Sequence, residues 1–170
     1  MLRASIMPEA LPSLPLPVED LPEALRRFCN PATAGPRRMA ARGMVPLKGE
    51  QLVMVLLQLS ADPEEEVANS AGESLDKLPT GIVQSAAGSA LPGPFLMALA
   101  LRFESNGELL GALMGNPASP TELLVEFARK GDDALCERIA TNQQRLLAAP
   151  SIIEALERAG VRVRVLAGRA

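Results

Sequence analysis

From Pro46 onward, apolar residues recur in sets one helical turn apart. Val67 goes with Ala71 and Leu75, Ile82-Val83 with Ala86-Ala87, and Phe95-Leu96 with Leu99-Ala100. The series continues with Leu109-Leu110 and Leu113-Met114, Leu123-Leu124 and Phe127-Ala128, Leu135-Cys136 and Ile139-Ala140, then Ile152-Ile153 and Leu156. Positions i, i+1, i+4 and i+5 paint one stripe on a helix and cannot alternate across a strand, so each set predicts a helix. Each stripe is short, and so is each helix. The segment 51–59, with Leu52, Val53, Met54, Val55, Leu56 and Leu57, is apolar nearly all round. It predicts a central helix covered on both sides. Val67, Leu75, Leu99, Leu123 and Ile139 are expected in the core.

The punctuation agrees with this periodicity. Asp62-Pro63-Glu64-Glu65 reads as a cap at Asp62, Pro at the first helical position and an acid three after the cap. Ser119-Pro120-Thr121-Glu122 repeats that grammar, Ser105-Asn106-Gly107-Glu108 has the capping-box spacing, and Thr80 is placed to cap the helix that opens at Gly81. Helix stops fall near Leu78-Pro79, Ala90-Leu91-Pro92 and Lys130-Gly131. Pro22 opens a short first helix through Phe28, and Asn30-Pro31-Ala32-Thr33 makes a turn before a helix over 34–42. Short helices cannot bury a stripe singly but stacked pairs can, which predicts an all-α, right-handed helical-repeat solenoid. Its bounds are 19–160. Residues 1–18, with Pro8, Pro12, Pro15 and Pro17, read as a mobile Pro-rich tail. Residues 161–170 read as a tail or short strand, because Val161-Arg162-Val163-Arg164-Val165 alternates by two.

Two stretches carry a family likeness. Ser60-Ala61-Asp62-Pro63-Glu64-Glu65-Glu66-Val67, continuing through Leu75 to Leu78-Pro79, resembles a HEAT-type repeat. Asn116-Pro117-Ala118-Ser119-Pro120-Thr121-Glu122-Leu123-Leu124, followed by Asp132-Asp133 and Ile139-Ala140-Thr141-Asn142, resembles the leucine-rich-repeat variant of bacterial proteins, in which Asn-Pro opens each unit. Asn142 starts a further unit, although Gln143-Gln144 stands where Pro is usual. The likeness covers roughly residues 30–158 and implies helical binding surfaces, not a shared chemistry. Asn116 and Asn142 are expected to satisfy backbone groups in turns rather than to line a binding ladder.

Composition narrows function. Of 170 residues 48% are apolar and only 2% aromatic, all Phe, and there is no His, Trp or Tyr. Without His, the Ser-His and Cys-His nucleophile pairs and most zinc sites are excluded. Without Tyr and Trp, stacking on single-stranded nucleic acid is weakened. Cys29 and Cys136 have no ligand spacing and read as two reduced core thiols. No Gly-rich phosphate cradle is present. No cofactor, metal or catalytic residue is expected, so the chain reads as no enzyme. The start, Met1-Leu2-Arg3-Ala4, enters the Pro-rich segment without an apolar signal region, and the longest apolar run is far short of a membrane span. A cytoplasmic location is therefore expected.

Charge is polarised locally. Arg26, Arg27, Arg37, Arg38, Arg42 and Lys48 lie in one stretch without an acid between them, and Glu50, Asp62, Glu64, Glu65, Glu66, Glu73 and Asp76 follow. On a helix over 34–42, Arg37, Arg38 and Arg42 point to one side. They are the candidate partner-binding residues, aimed either at an acidic patch on another protein or at this chain's own Glu64–Glu66 turn. The leading expectation is a noncatalytic protein–protein scaffold. The alternative is a nucleic-acid or nucleotide binder using the stretch from Arg26 to Lys48, against which stands an isoelectric point near 5.1.

Overall fold

The computed structural model describes residues 11–164. Eleven helices carry the regular structure, and no strand occurs among the described residues. After a short 3-10 turn at Val18–Asp20 come α1 (Glu23–Cys29), α2 (Ala34–Ala41), α3 (Gly49–Ser60) and α4 (Glu65–Asp76). They are followed by α5 (Thr80–Gly88), α6 (Gly93–Arg102), α7 (Gly107–Gly115) and α8 (Thr121–Lys130). The last three are α9 (Asp133–Thr141), α10 (Gln143–Ala148) and α11 (Pro150–Arg158). The protein is all-α, as its periodicity dictates.

The apolar stripes are the packing surfaces. Val67, Leu75, Leu99, Leu123 and Ile139 are all buried. Ile82, Ala140 and Ile153 lie at the margins of their stripes and are only partly covered. α3 buries every residue from Val53 to Leu59 and packs against α1, α2, α4, α5 and α6, which explains why it is apolar all round. α1 lies against α3, α3 against α5, α5 against α7 and α7 against α9, so these helices form a continuous row. In the second row α2 lies on α4 and α8 on α11, while α4 and α6 meet mainly through Arg102, and α6 and α8 hardly touch.

Several helix starts differ in detail from their expected grammar. Asp62 does not cap α4. Its Oδ1 accepts the Glu64 backbone N–H at 2.8 Å, Pro63 sits in a bend, and the helix begins at Glu65. The Asp62 carboxylate is instead turned to Arg37. Ser119 does not cap α8 either. It is buried, and its hydroxyl donates to the Leu113 carbonyl at 2.6 Å, satisfying an acceptor in the last turn of α7. Thr80 is the first residue of α5 and makes no cap bond. Asn106, rather than Ser105, caps α7 by accepting from Leu109 N–H. Asp132 and Asn142 cap α9 and α10 in the same way.

Two helix ends close with Schellman motifs. At the end of α2, Met44 N–H reaches Met39 C=O and Gly43 N–H reaches Ala40 C=O, with Gly43 at φ +70°. At the end of α11, Val161 and Gly160 make the same two bonds to Leu156 and Glu157, with Gly160 at φ +87°.

The terminal segments were expected to be a mobile tail and a tail or strand. Residues 1–10 and 165–170 lie outside the described residues. Residues 11–17 are docked: Leu14 and Leu16 pack on the core, and the Leu16 backbone exchanges two hydrogen bonds with Gln58, at 2.9 and 2.7 Å. Pro12, Pro15 and Pro17 suit an extended strap as well as a tail, and the interspersed leucines supply the contact. Residues 161–164 form no strand. Their alternation lays Val161 and Val163 on the core while Arg162 and Arg164 face solvent.

Candidate functional site

The three arginines named from sequence do not share one fate. Arg37 and Arg38 stand near the middle of α2, and Arg42 follows its last turn. The Arg37 side chain is only 8% exposed. Its Nη1 donates to both oxygens of Asp62, at 3.2 and 3.1 Å, and its Nη2 is ion-paired with Glu64. Asp62 is equally buried, so this is an internal ion pair with a planar fork facing a carboxylate. Arg37 Nε is buried without a partner. Arg38, on the surface, donates to the other Glu64 oxygen at 2.9 Å. That hydrogen bond, with the Arg38 and Arg37 charges adding and partial desolvation opposing, holds the Glu64 carboxyl below the usual carboxylate range. The same hydrogen bond, with the charges of Glu64 and Glu66, holds Arg38 more firmly protonated. Arg42 alone of the three is exposed without an ion pair among the described residues.

The rest of the basic stretch is also engaged locally. Arg26 donates to the backbone carbonyls of Leu21 and Glu19, and Arg27 lies 4.4 Å from the centre of the Phe28 ring. The crevice between Arg38, Arg42 and Glu66 has no room for a water molecule. The stretch is thus no continuous cationic surface. This chain's own acids are the counter-charges of Arg37 and Arg38, while Arg42 and Lys48 are exposed without an ion pair among the described residues.

A larger hollow lies elsewhere, between the second-row helices α6 and α8 that hardly touch. α6 buries Phe95, Leu96, Leu99 and Ala100 against the core. Its other face carries Met97 and Leu101, one turn apart, and Leu101 is 49% exposed. Across from them α8 presents Val125 with Thr121, Glu122, Glu126 and Arg129. The groove has a volume of about 500 Å³ and a predominantly apolar lining, and Ser151 of α11 completes it. Sequence reasoning missed it, although its signal was present. α6 is apolar on both sides, like α3, and a helix of that kind is normally covered all round. α3 is covered; on α6 Met97 is only partly covered and Leu101 is half-exposed.

Among the described residues no cluster of His, Cys, Asp or Glu is arranged to hold a metal ion. Both cysteines are buried thiols. Burial, and then the charge of Asp62, pushes Cys29 up to about 12, while burial with Asp132 and Asp133 raises Cys136. Neither is a ready nucleophile at neutral pH. No helix among the described residues is long and apolar enough to cross a membrane. No protein-family model, curated protein or solved structure matches the chain.

Proposed function

We propose that the protein is a noncatalytic interaction scaffold, a helical-repeat solenoid that docks a segment of another protein in the groove between α6 and α8. The observation that carries this reading is the exposed apolar face of α6. Met97 and Leu101 face Val125 across a groove large enough for several side chains, and mostly apolar clefts of this size are where ligands bind. Helix-in-groove recognition uses such a site, with apolar anchors one turn apart.

The solenoid reading is supported by the helix contacts and by a recurring sequence offset. Polar side chains bridge residues 25 to 30 apart along most of the molecule. Arg37 and Arg38 bond Asp62 and Glu64, Asn116 bonds Ala87 and Ser89, and Arg102 bonds Gly72 and Asp76. Lys130 bonds Glu104, Arg138 bonds Gly111, and Arg145 bonds Pro117 and Ser119. Offsets that stay within so narrow a range suit stacked units of similar length. The engaged arginines weaken the nucleic-acid alternative, and the acids beside the groove repel phosphate.

The test is site-specific photo-crosslinking in the cells that make the protein. A benzophenone side chain at position 101 should give one discrete adduct with another protein, and Val125→Glu should abolish it. The same group at position 147, where Leu147 is 60% exposed but outside the groove, is the control. No adduct from position 101, or the same adducts from both positions, overturns the reading.

A further inference from the structure

Two carboxylates on the groove differ from other acids at the junctions between units. Glu64 is bonded by Arg37 and Arg38, Asp76 by Arg102 and Glu104 by Lys130, each across 26 or 27 residues. Glu122 and Glu126 have no such base. The residues 26 further on are Ala148 and Ile152, and those 26 before are Leu96 and Ala100. Neither glutamate makes an ion pair or a side-chain hydrogen bond among the described residues. Both line the groove, one helical turn apart on α8, on the same wall as Val125. Two half-exposed carboxylates at that spacing repel each other, and a cation between them removes the repulsion. Arg129 lies two turns beyond Glu122, at the other end of the groove.

We infer that the groove between α6 and α8 receives an amphipathic segment of a partner protein whose apolar side chains enter between Met97, Leu101 and Val125 and whose basic side chains meet Glu122 and Glu126. The inference rests on the docking reading above and names the chemistry of its occupant. Charge complementarity selects the class: the apolar floor takes Leu-, Ile- or Met-like anchors three or four residues apart, and the acidic rim takes Lys or Arg beside them. The gradient along the groove also fixes direction. The bases lie toward the start of α8, and Arg129 disfavours a base at the far end. This partner is the opposite in sign of the one the arginine stretch suggested.

A random dodecapeptide display library, selected on the wild-type protein and counter-selected on Leu101→Asp, tests this. Enriched peptides are then synthesised and measured by fluorescence anisotropy. Leu101 is half-exposed, so its replacement leaves the fold intact; Val125→Glu serves as a second groove-blocking variant, and the melting temperatures of both confirm folding. Enriched peptides are expected to carry apolar residues three or four apart with at least two Lys or Arg. They should bind the Glu122→Lys/Glu126→Lys variant at least about tenfold more weakly, and lose affinity with added salt. Groove-dependent peptides that are acidic or uncharged, or that bind the double variant as well as wild type, overturn this inference and leave the docking reading standing. Peptides indifferent to both groove-blocking variants, or no enrichment at all, overturn both.

Discussion

Two side chains show how much a single residue carries in this protein. Arg37 lies inside the fold with Asp62, and removing one member of a buried pair leaves the other as an uncompensated charge. Arg37→Ala is therefore expected to destabilise by roughly 3–5 kcal/mol in urea denaturation, while Arg37→Met with Asp62→Leu recovers much of the loss. Asn116 is buried, and its amide donates to the Ala87 and Ser89 carbonyls while its oxygen accepts from Ala118 N–H. Asn116→Ala leaves those groups unpaired and should cost about 1–3 kcal/mol by the same measurement. Asn116→Asp should be no milder, because a carboxylate cannot donate to two carbonyls. Glu64 adds a pH dependence. It is more acidic folded than unfolded, so its contribution is present in full above the ordinary carboxylate range and is lost as pH falls through its folded value. The melting temperature of wild type should fall in acid more steeply than that of Glu64→Gln, and parallel curves would show that Glu64 has no such role.

At the scale of the helix, the stripes and their ends decide the outcome. Leu99 is fully buried on α6, and Leu99→Ala should cost ~2–5 kcal/mol. Gly160 takes φ +87° to close α11, so Gly160→Ala should cost about 1–2 kcal/mol, read from its denaturation midpoint. These elements were legible in the chain because a one-turn repeat of apolar pairs has only one regular solution. The caps were less legible. Asp62 and Ser119 have the right chemistry at the right spacing, yet Asp62 is drawn off by Arg37, 25 residues away, and Ser119 by Leu113 C=O. Local grammar names the residue that can cap; a distant partner decides whether it does. The arginines follow the same rule, since sequence spacing aligned Arg37 and Arg38 but did not show that Asp62 and Glu64 pair with them. The groove was hidden differently. Met97 and Leu101 extend an already apolar helix, and nothing local distinguishes a covered side from an open one.

For the molecule as a whole, packing is strongest around α3 and thinnest at α10. α3 has neighbours on all sides, whereas α10 has six residues and one fully buried side chain. Amide hydrogen exchange should therefore be slowest in α3 and the helices beside it and fastest in α10. Uniform protection across all eleven helices would show that the chain opens only as one unit. The openness of the second row follows from the same layout. The row of α3, α5, α7 and α9 is closed, and the spaces beside α6 are left on the other side.

The cross-bonds that reach 25 to 30 residues along the chain also bear on how such a molecule can lengthen. On the solenoid reading proposed above, an in-frame duplication of about 26 codons inserts a whole unit, which can meet its neighbours through bonds of similar span. On the same reading, an insertion of half that length puts a helix of one row into the place of the other. On that reading the gene grows or shrinks in whole modules while remaining intolerant of fractional ones, and the groove proposed to receive a partner is copied, moved or lost together with its unit.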